Sequence, residues 1–204
     1  MKAVIALLAI ALAGCAGSDP AQYQYYRFGS VPDAPVSQNN NALTTHDHRV
    51  YVDQVNIVGV ADQQALVQYI EAHKVHIANY HYWAEHPKLL LTKATLRYLD
   101  NAGFSPVLSA HASDIKPGDY KLLIEVSDLA GHYQQGALLK GAWHLYRITE
   151  QGNELLDVRH FEYRSPLSQD GFNALIVAHQ QNWQQLMAQL HLEIDAQGPS
   201  HAAD

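Results

Sequence analysis

Apolar and polar residues follow one another along this chain in different rhythms, and each rhythm predicts a different kind of structure. The chain opens with an unbroken apolar run, Val4 to Ala13, behind Met1 and Lys2. From Ala16 to Thr45 polar residues and prolines dominate, including Ser18-Asp19-Pro20, Pro32, Pro35 and the run Gln38-Asn39-Asn40-Asn41. That is the composition of a tether. One ordered piece interrupts it, because Tyr23-Gln24-Tyr25-Tyr26-Arg27-Phe28 spaces its aromatics as a strand does. Arg49 to Gly59, rich in Val, Ile and Tyr, predicts a second strand, and Asp62 is placed to cap a short helix through Ala72 with Leu66, Val67 and Ile70 inward. Lys74 to Asn79 reads as another strand. Pro87 stands where a helix can begin; Leu89, Leu96 and Leu99 follow on one face, and Asn101 to Gly103 stop it. With Phe104 to Ser109 as the next strand, the order allows a crossover unit with parallel pairing.

Beyond residue 118 the rhythm changes. Asp119 to Asp128, Gly136 to Thr149 and Glu154 to Arg164 alternate with period two, separated by Leu129 to Gln135 and Glu150 to Asn153, and predict an antiparallel meander. On the middle segment Leu139, Gly141, Trp143 and Leu145 share one face and Lys140, Ala142, His144 and Tyr146 the other. The longest helix is predicted from about Gln169 to Leu192, where Phe172, Ile176, His179, Trp183, Leu186 and Leu190 recur every three or four residues. Such a stripe packs on the sheet of its own domain or is offered to a partner, and the first is the ordinary outcome. The predicted fold is therefore α/β (α+β): a single domain with a mixed β-sheet, a C-terminal antiparallel meander and two main helices packed on it. The expected layout is a leader at 1–14, an N-terminal tether at 15–48, the α/β domain at 49–194 and a flexible tail at 195–204.

The apolar opening bears on where the chain resides. A cationic start, a run of about ten apolar residues and small residues at its end form the pattern of a secretory signal peptide. The run is too short to span a bilayer. It closes on Leu12-Ala13-Gly14-Cys15, which resembles the lipobox of bacterial lipoproteins, whose chain is cut before the Cys and whose thiol is acylated. Cys15 is then the expected site of lipid attachment; the alternative is a plain signal peptide or short anchor with a Cys there by chance. Cys15 is also the only cysteine, so no internal disulfide is possible, and acylation would remove an otherwise exposed thiol from an oxidising compartment. Ala16 follows where Asp often signals inner-membrane retention, so resemblance to lipoproteins in general implies the outer membrane, periplasmic face.

Composition narrows the partners. Hydrophobic residues make up 48% and charged residues 16% of the 204, the balance of a globular body. Against 20 Asp plus Glu stand 13 Lys plus Arg, a formal charge of -7. Such a chain has no evident attraction for nucleic acid or anionic lipid headgroups, so any membrane attachment is expected to come from the lipid.

Thirteen histidines raise a metal hypothesis. His46 and His48, His73 and His76, and His81 and His86 are the close pairs, yet neither His-Glu-x-x-His nor its inverted form is present. His179 interrupts an apolar stripe and reads as a satisfied core or interface residue rather than a ligand. No Gly-x-Ser-x-Gly or phosphate loop occurs, since Gly131 to Gly136 falls in a hairpin-like context, and Glu150 and Glu154 read as charged turn residues. No catalytic residue, cofactor site or metal site is assigned. Tyr23, Tyr25, Tyr26, Tyr80, Tyr82 and Trp83 form two clusters that suit a core or an interface, with core the preferred reading.

Several of these segments together resemble the ABC-type transport auxiliary lipoprotein family. They are the lipobox, Tyr25-Tyr26-Arg27-Phe28, Trp83-Ala84-Glu85 ahead of a leucine-bearing helix, Gly136-Ala137-Leu138-Leu139-Lys140-Gly141-Ala142-Trp143, and Asp170-Gly171-Phe172-Asn173-Ala174-Leu175-Ile176 at the start of the last helix. The chain departs where the family usually has Pro-x-Tyr-Leu, reading Val60-Ala61-Asp62-Gln63-Gln64-Ala65-Leu66 instead. The resemblance implies a non-enzymatic, outer-membrane lipoprotein. Its implied partners are an MCE-domain protein bridging the periplasm and an inner-membrane component, in lipid movement that maintains the envelope. It also implies a homo-oligomeric ring. The residues by themselves leave open a histidine-rich periplasmic metal-binding protein or hydrolase, and a structural envelope lipoprotein.

Overall fold

The computed structural model describes residues 22–29 and 49–197. The leader, Cys15, the Asn-rich run and residues 198–204 lie outside them. Among the described residues nine strands and two α-helices form one mixed sheet with both helices on one face. The strands are β1 (Gln24–Tyr26), β2 (Arg49–Val52), β3 (Asn56–Ile57), β4 (Ala65–Glu71), β5 (Lys74–Trp83), β6 (Ser105–Leu108), β7 (Tyr120–His132), β8 (Gly136–Thr149) and β9 (Gly152–Ser165). The helices are α1 (Pro87–Asn101) and α2 (Phe172–Gln197).

β7 is the axis of the sheet. One edge of it pairs antiparallel with β8 over nearly its whole length, and β9 completes the meander. Its other edge is shared in succession by three short parallel strands, β2 (Val50 opposite Tyr120), β3 (Asn56 opposite Glu125) and β4 (Val67 opposite Ala130). Outside β2 lies β6, parallel; outside β4 lie β5, antiparallel, and then β1, parallel. β1 is thus a strand of this domain's sheet, although it is separated from β2 by more than twenty residues of chain.

Three expectations change in the structure. Asp62 to Ala72 is not a helix: a single 3₁₀ turn at Gly59–Ala61 leads into β4. Leu66 and Val67 are adjacent yet both buried, which a strand covered on both faces allows. The strand after α1 does form in parallel, but its partner is β2 rather than the preceding β5. β7 also continues through Leu129 to His132, because there its backbone pairs with β4 on one side and β8 on the other. Only Tyr133–Gln135 remain as the hairpin turn, closed by Gly136 at φ 75°.

The core lies between the sheet and the helices. Val50, Val52, Leu122, Ile124, Trp143 and Leu145 from the strands meet Leu91, Leu99, Trp183, Leu186 and Leu190 from the helices. The predicted stripe of α2 is the face it lays on β8 and β9. α1 starts at Pro87 with His86 Nδ1 accepting from Lys88 N at 3.3 Å, and ends before Gly103 (φ 91°). α2 extends to Gln197, whose carbonyl accepts from the Tyr120 hydroxyl at 2.8 Å and from Arg147 at 3.0 Å.

Candidate functional site

The one site residue assigned from sequence, Cys15, lies outside the described residues. What the structure resolves is the body that Cys15 precedes. The histidines are spread through it in separate local roles. His81 stacks on Phe172 with ring centroids 3.9 Å apart and shares a 2.7 Å hydrogen bond with Tyr26. Burial lowers its pKa, which favours the neutral ring that can accept the tyrosine proton. His86 caps α1 and reaches Asp62 at 3.5 Å. His132 Nδ1 accepts from Gln134 N in the β7–β8 turn, and His191 reaches Asp195 at 3.0 Å along α2. His73 and His76 are exposed at the β4–β5 turn, and His179 is buried beneath α2. Among the described residues, no three His, Cys, Asp or Glu side chains converge as metal ligands do. His46 and His48 lie outside them. Glu150 is in the exposed β8–β9 turn and Glu154 on β9.

Concavities among the described residues include the following two. One of about 240 Å³ sits where β4 and the β7–β8 hairpin meet the start of α2, lined by Gln68, Tyr69, His132, Phe172 and Leu175. The other, about 440 Å³ and shallow, lies over Glu125, Ser127, Lys140, Ala142 and His160. The Ser127 hydroxyl at the second donates to the adjacent Asp128 carboxylate at 3.0 Å, and the Tyr69 hydroxyl at the first donates to the same carboxylate at 2.5 Å.

The distinctive surface is the face of the sheet that, among the described residues, carries no helix, at the β1–β5 edge. Tyr26 and His81 are registered near one another and turn toward α2, where both rings meet Phe172. Their neighbours Tyr25 and Tyr82, opposite each other across the pair, therefore turn to the other face. There Tyr23 contacts Tyr80 edge-on at 5.7 Å and Tyr82 at 5.9 Å, and Tyr25 contacts Tyr82 at 6.0 Å. Val75 and Ile77 continue the same face toward the β4–β5 turn, being paired with Tyr69 and Val67. Tyr23 and Tyr25 are 61% and 66% exposed, so these two join no core. Of the two aromatic clusters in the sequence, Trp83 is buried and Tyr26 half-buried, while the remaining four tyrosines build this outer patch. The split follows from alternation: strands that cover a core with one face must show the other.

In the comparisons, a family model described as the ABC-type transport auxiliary lipoprotein component matches residues 30–191. A crystal structure of an uncharacterized protein superposes with a TM-score of 0.66 at 20% identity, covering 85% of this chain and 99% of its own. The crystal structure of protein XCC0632 from Xanthomonas campestris superposes with a TM-score of 0.59 at 15% identity, covering 85% and 93%. At such identities these two likenesses are of fold. No curated protein matches the sequence. With its model spanning most of the domain from residue 30 to residue 191, the chain belongs to the ABC-type transport auxiliary lipoprotein component family.

Proposed function

We propose that this protein is a non-catalytic accessory subunit of an MCE-type intermembrane lipid transport system, held at the periplasmic face of the outer membrane by acylated Cys15. The observation that carries the reading is the auxiliary-lipoprotein match over residues 30–191, standing behind a leader that ends in Leu12-Ala13-Gly14-Cys15. In this reading the body docks an MCE-domain protein that bridges the periplasm and acts with an inner-membrane component. Anchoring confines the docking domain to two dimensions and raises its local concentration, and a homo-oligomeric ring would multiply weak contacts into a lasting one. One acyl chain holds a protein only marginally, whereas several hold it firmly, so the reading requires a multiply acylated Cys15.

The test is fractionation of cells expressing the full chain or Cys15→Ala, with palmitate labelling. The wild type should incorporate label and sit in the outer-membrane fraction; the variant should do neither and should fail to complement an envelope defect. Cys15→Ala protein that remains in the outer-membrane fraction would overturn the anchor. Affinity capture of the wild type without an MCE-domain protein would overturn the transport role.

A further inference from the structure

The tyrosine patch on the β1–β5 edge lies close in sequence to the anchor. Tyr23 is eight residues after Cys15, and eight extended residues reach at most about 28 Å. Wherever Cys15 is held, the outer end of this sheet is held nearby. The patch also differs from the rest of the molecule in charge. The chain carries 20 Asp plus Glu against 13 Lys plus Arg, yet residues 22–29 and 72–84, which comprise β1 and β5, contain no carboxylate; Glu71, just before β5, is held by Lys74 at 3.2 Å. The two segments contain Arg27, Lys74, His73 and His76, all exposed. Farther along the same face, Asp128 already accepts the Tyr69 hydroxyl at 2.5 Å.

We infer that this face, centred on Tyr23, Tyr25, Tyr80 and Tyr82, rests on the lipid headgroup layer of the membrane that holds Cys15. Tyrosine suits that layer because its ring is apolar while its hydroxyl stays hydrated. The scarcity of carboxylates lets the edge approach anionic headgroups that repel the acidic remainder of the body, and Arg27 adds local attraction. Docking would fix the sheet's orientation, with the helices on the opposite face turned away from the bilayer and available to partners. The inference rests on acylation of Cys15, and it names a second contact with the same membrane.

The test subtracts the native tryptophans as a constant background, since Trp83, Trp143 and Trp183 are at most 2% exposed and shielded from a lipid-borne quencher. Full-length lipidated protein carrying Tyr25→Trp is reconstituted into vesicles of phosphatidylethanolamine and phosphatidylglycerol with bromine near the top of the acyl chains. Ile115→Trp serves as the control, on an exposed loop beyond the opposite end of the sheet. Both positions are more than half exposed, so neither change removes a core contact. Emission from the indole introduced by Tyr25→Trp should fall by about half or more, as for an interfacial ring, while that of the control holds. Equal quenching of both, or of neither, in protein that floats with the vesicles would overturn docking and leave the anchor standing. Protein that does not float would overturn the anchor and the docking with it. Emission of the Tyr25→Trp protein already blue-shifted in detergent, with self-association, would assign the face to a second copy of the chain and overturn the lipid assignment.

Discussion

His179 is 1% exposed on the inner side of α2, its ring 6.1 Å from that of Trp83. Among the described residues its Nδ1 has no hydrogen-bond partner, and neither has the indole Nε1 of Trp183 one turn further along. Burial disfavours the imidazolium and lowers the pKa from 6.5 to about 3. An unfolded chain restores the ordinary value, so between those limits the unfolded state binds more protons than the folded one. The stability tied to the neutral ring is complete above pH 6.5 and is lost as the pH falls toward 3, by up to about 1.4 kcal/mol per pH unit. His179→Leu removes the titration while keeping an apolar side chain in place. Urea midpoints measured from neutral pH downward should show the wild type losing ground to the variant as acid is added. A constant gap would mean that the ring takes up a proton without unfolding. Gly141 makes the second residue-scale case. A Cβ there would run into the Glu125 carbonyl oxygen on β7 and the ring of Phe161 on β9. Gly141→Ala should therefore lower the unfolding free energy by about 1–3 kcal/mol, the usual cost of overpacking, in equilibrium denaturation.

At the scale of elements, α2 is held to the meander by polar contacts as well as by its stripe. Ser165 Oγ donates to Asn182 Oδ1 at 2.6 Å, and Asn182 Nδ2 donates to the Ala137 carbonyl at 3.1 Å, with Asn182 wholly buried. Asn182→Leu strands the Ser165 hydroxyl and should cost about 1–3 kcal/mol, readable as faster amide exchange along α2. The stripe of α2 and the alternation of β8 were legible in the sequence because each is a local period imposed by one buried face. β4 was not, since Leu66, Val67 and Ile70 fit a helical turn as well as a strand. What decides between them is burial of Val67 on the helix-free side, opposite Ala130 of β7. The pairing of β2, β3 and β4 along one edge of β7 was equally hidden, because parallel register is set by contacts distant in sequence. Cys15 shows the reverse case: its predicted role is read from processing chemistry in the leader, outside the described fold.

At the scale of the molecule, the fold separates holding the domain together from holding it in place. Phe28, just past β1, is 7% exposed and packs edge-on against Trp83 at 5.9 Å; Gly29 N then donates to Gln180 of α2 at 2.9 Å. These contacts tie the end of the tether into the same core that α2 closes. On the proposed acylation of Cys15, a pull from the membrane would be borne by the edge of the sheet. Truncating Phe28 removes a nearly buried aromatic ring, and Phe28→Ala should cost about 3–5 kcal/mol in unfolding free energy. Cys15 precedes β1 by nine residues, so Cys15→Ala should leave the unfolding midpoint of the body unchanged while abolishing outer-membrane attachment. The paired experiment is denaturation and fractionation of both variants. Phe28→Ala should keep the anchor and lose stability; Cys15→Ala should keep stability and lose the anchor. If Phe28→Ala were as stable as the wild type, β1 would be an ornament of the sheet edge rather than the joint between tether and body.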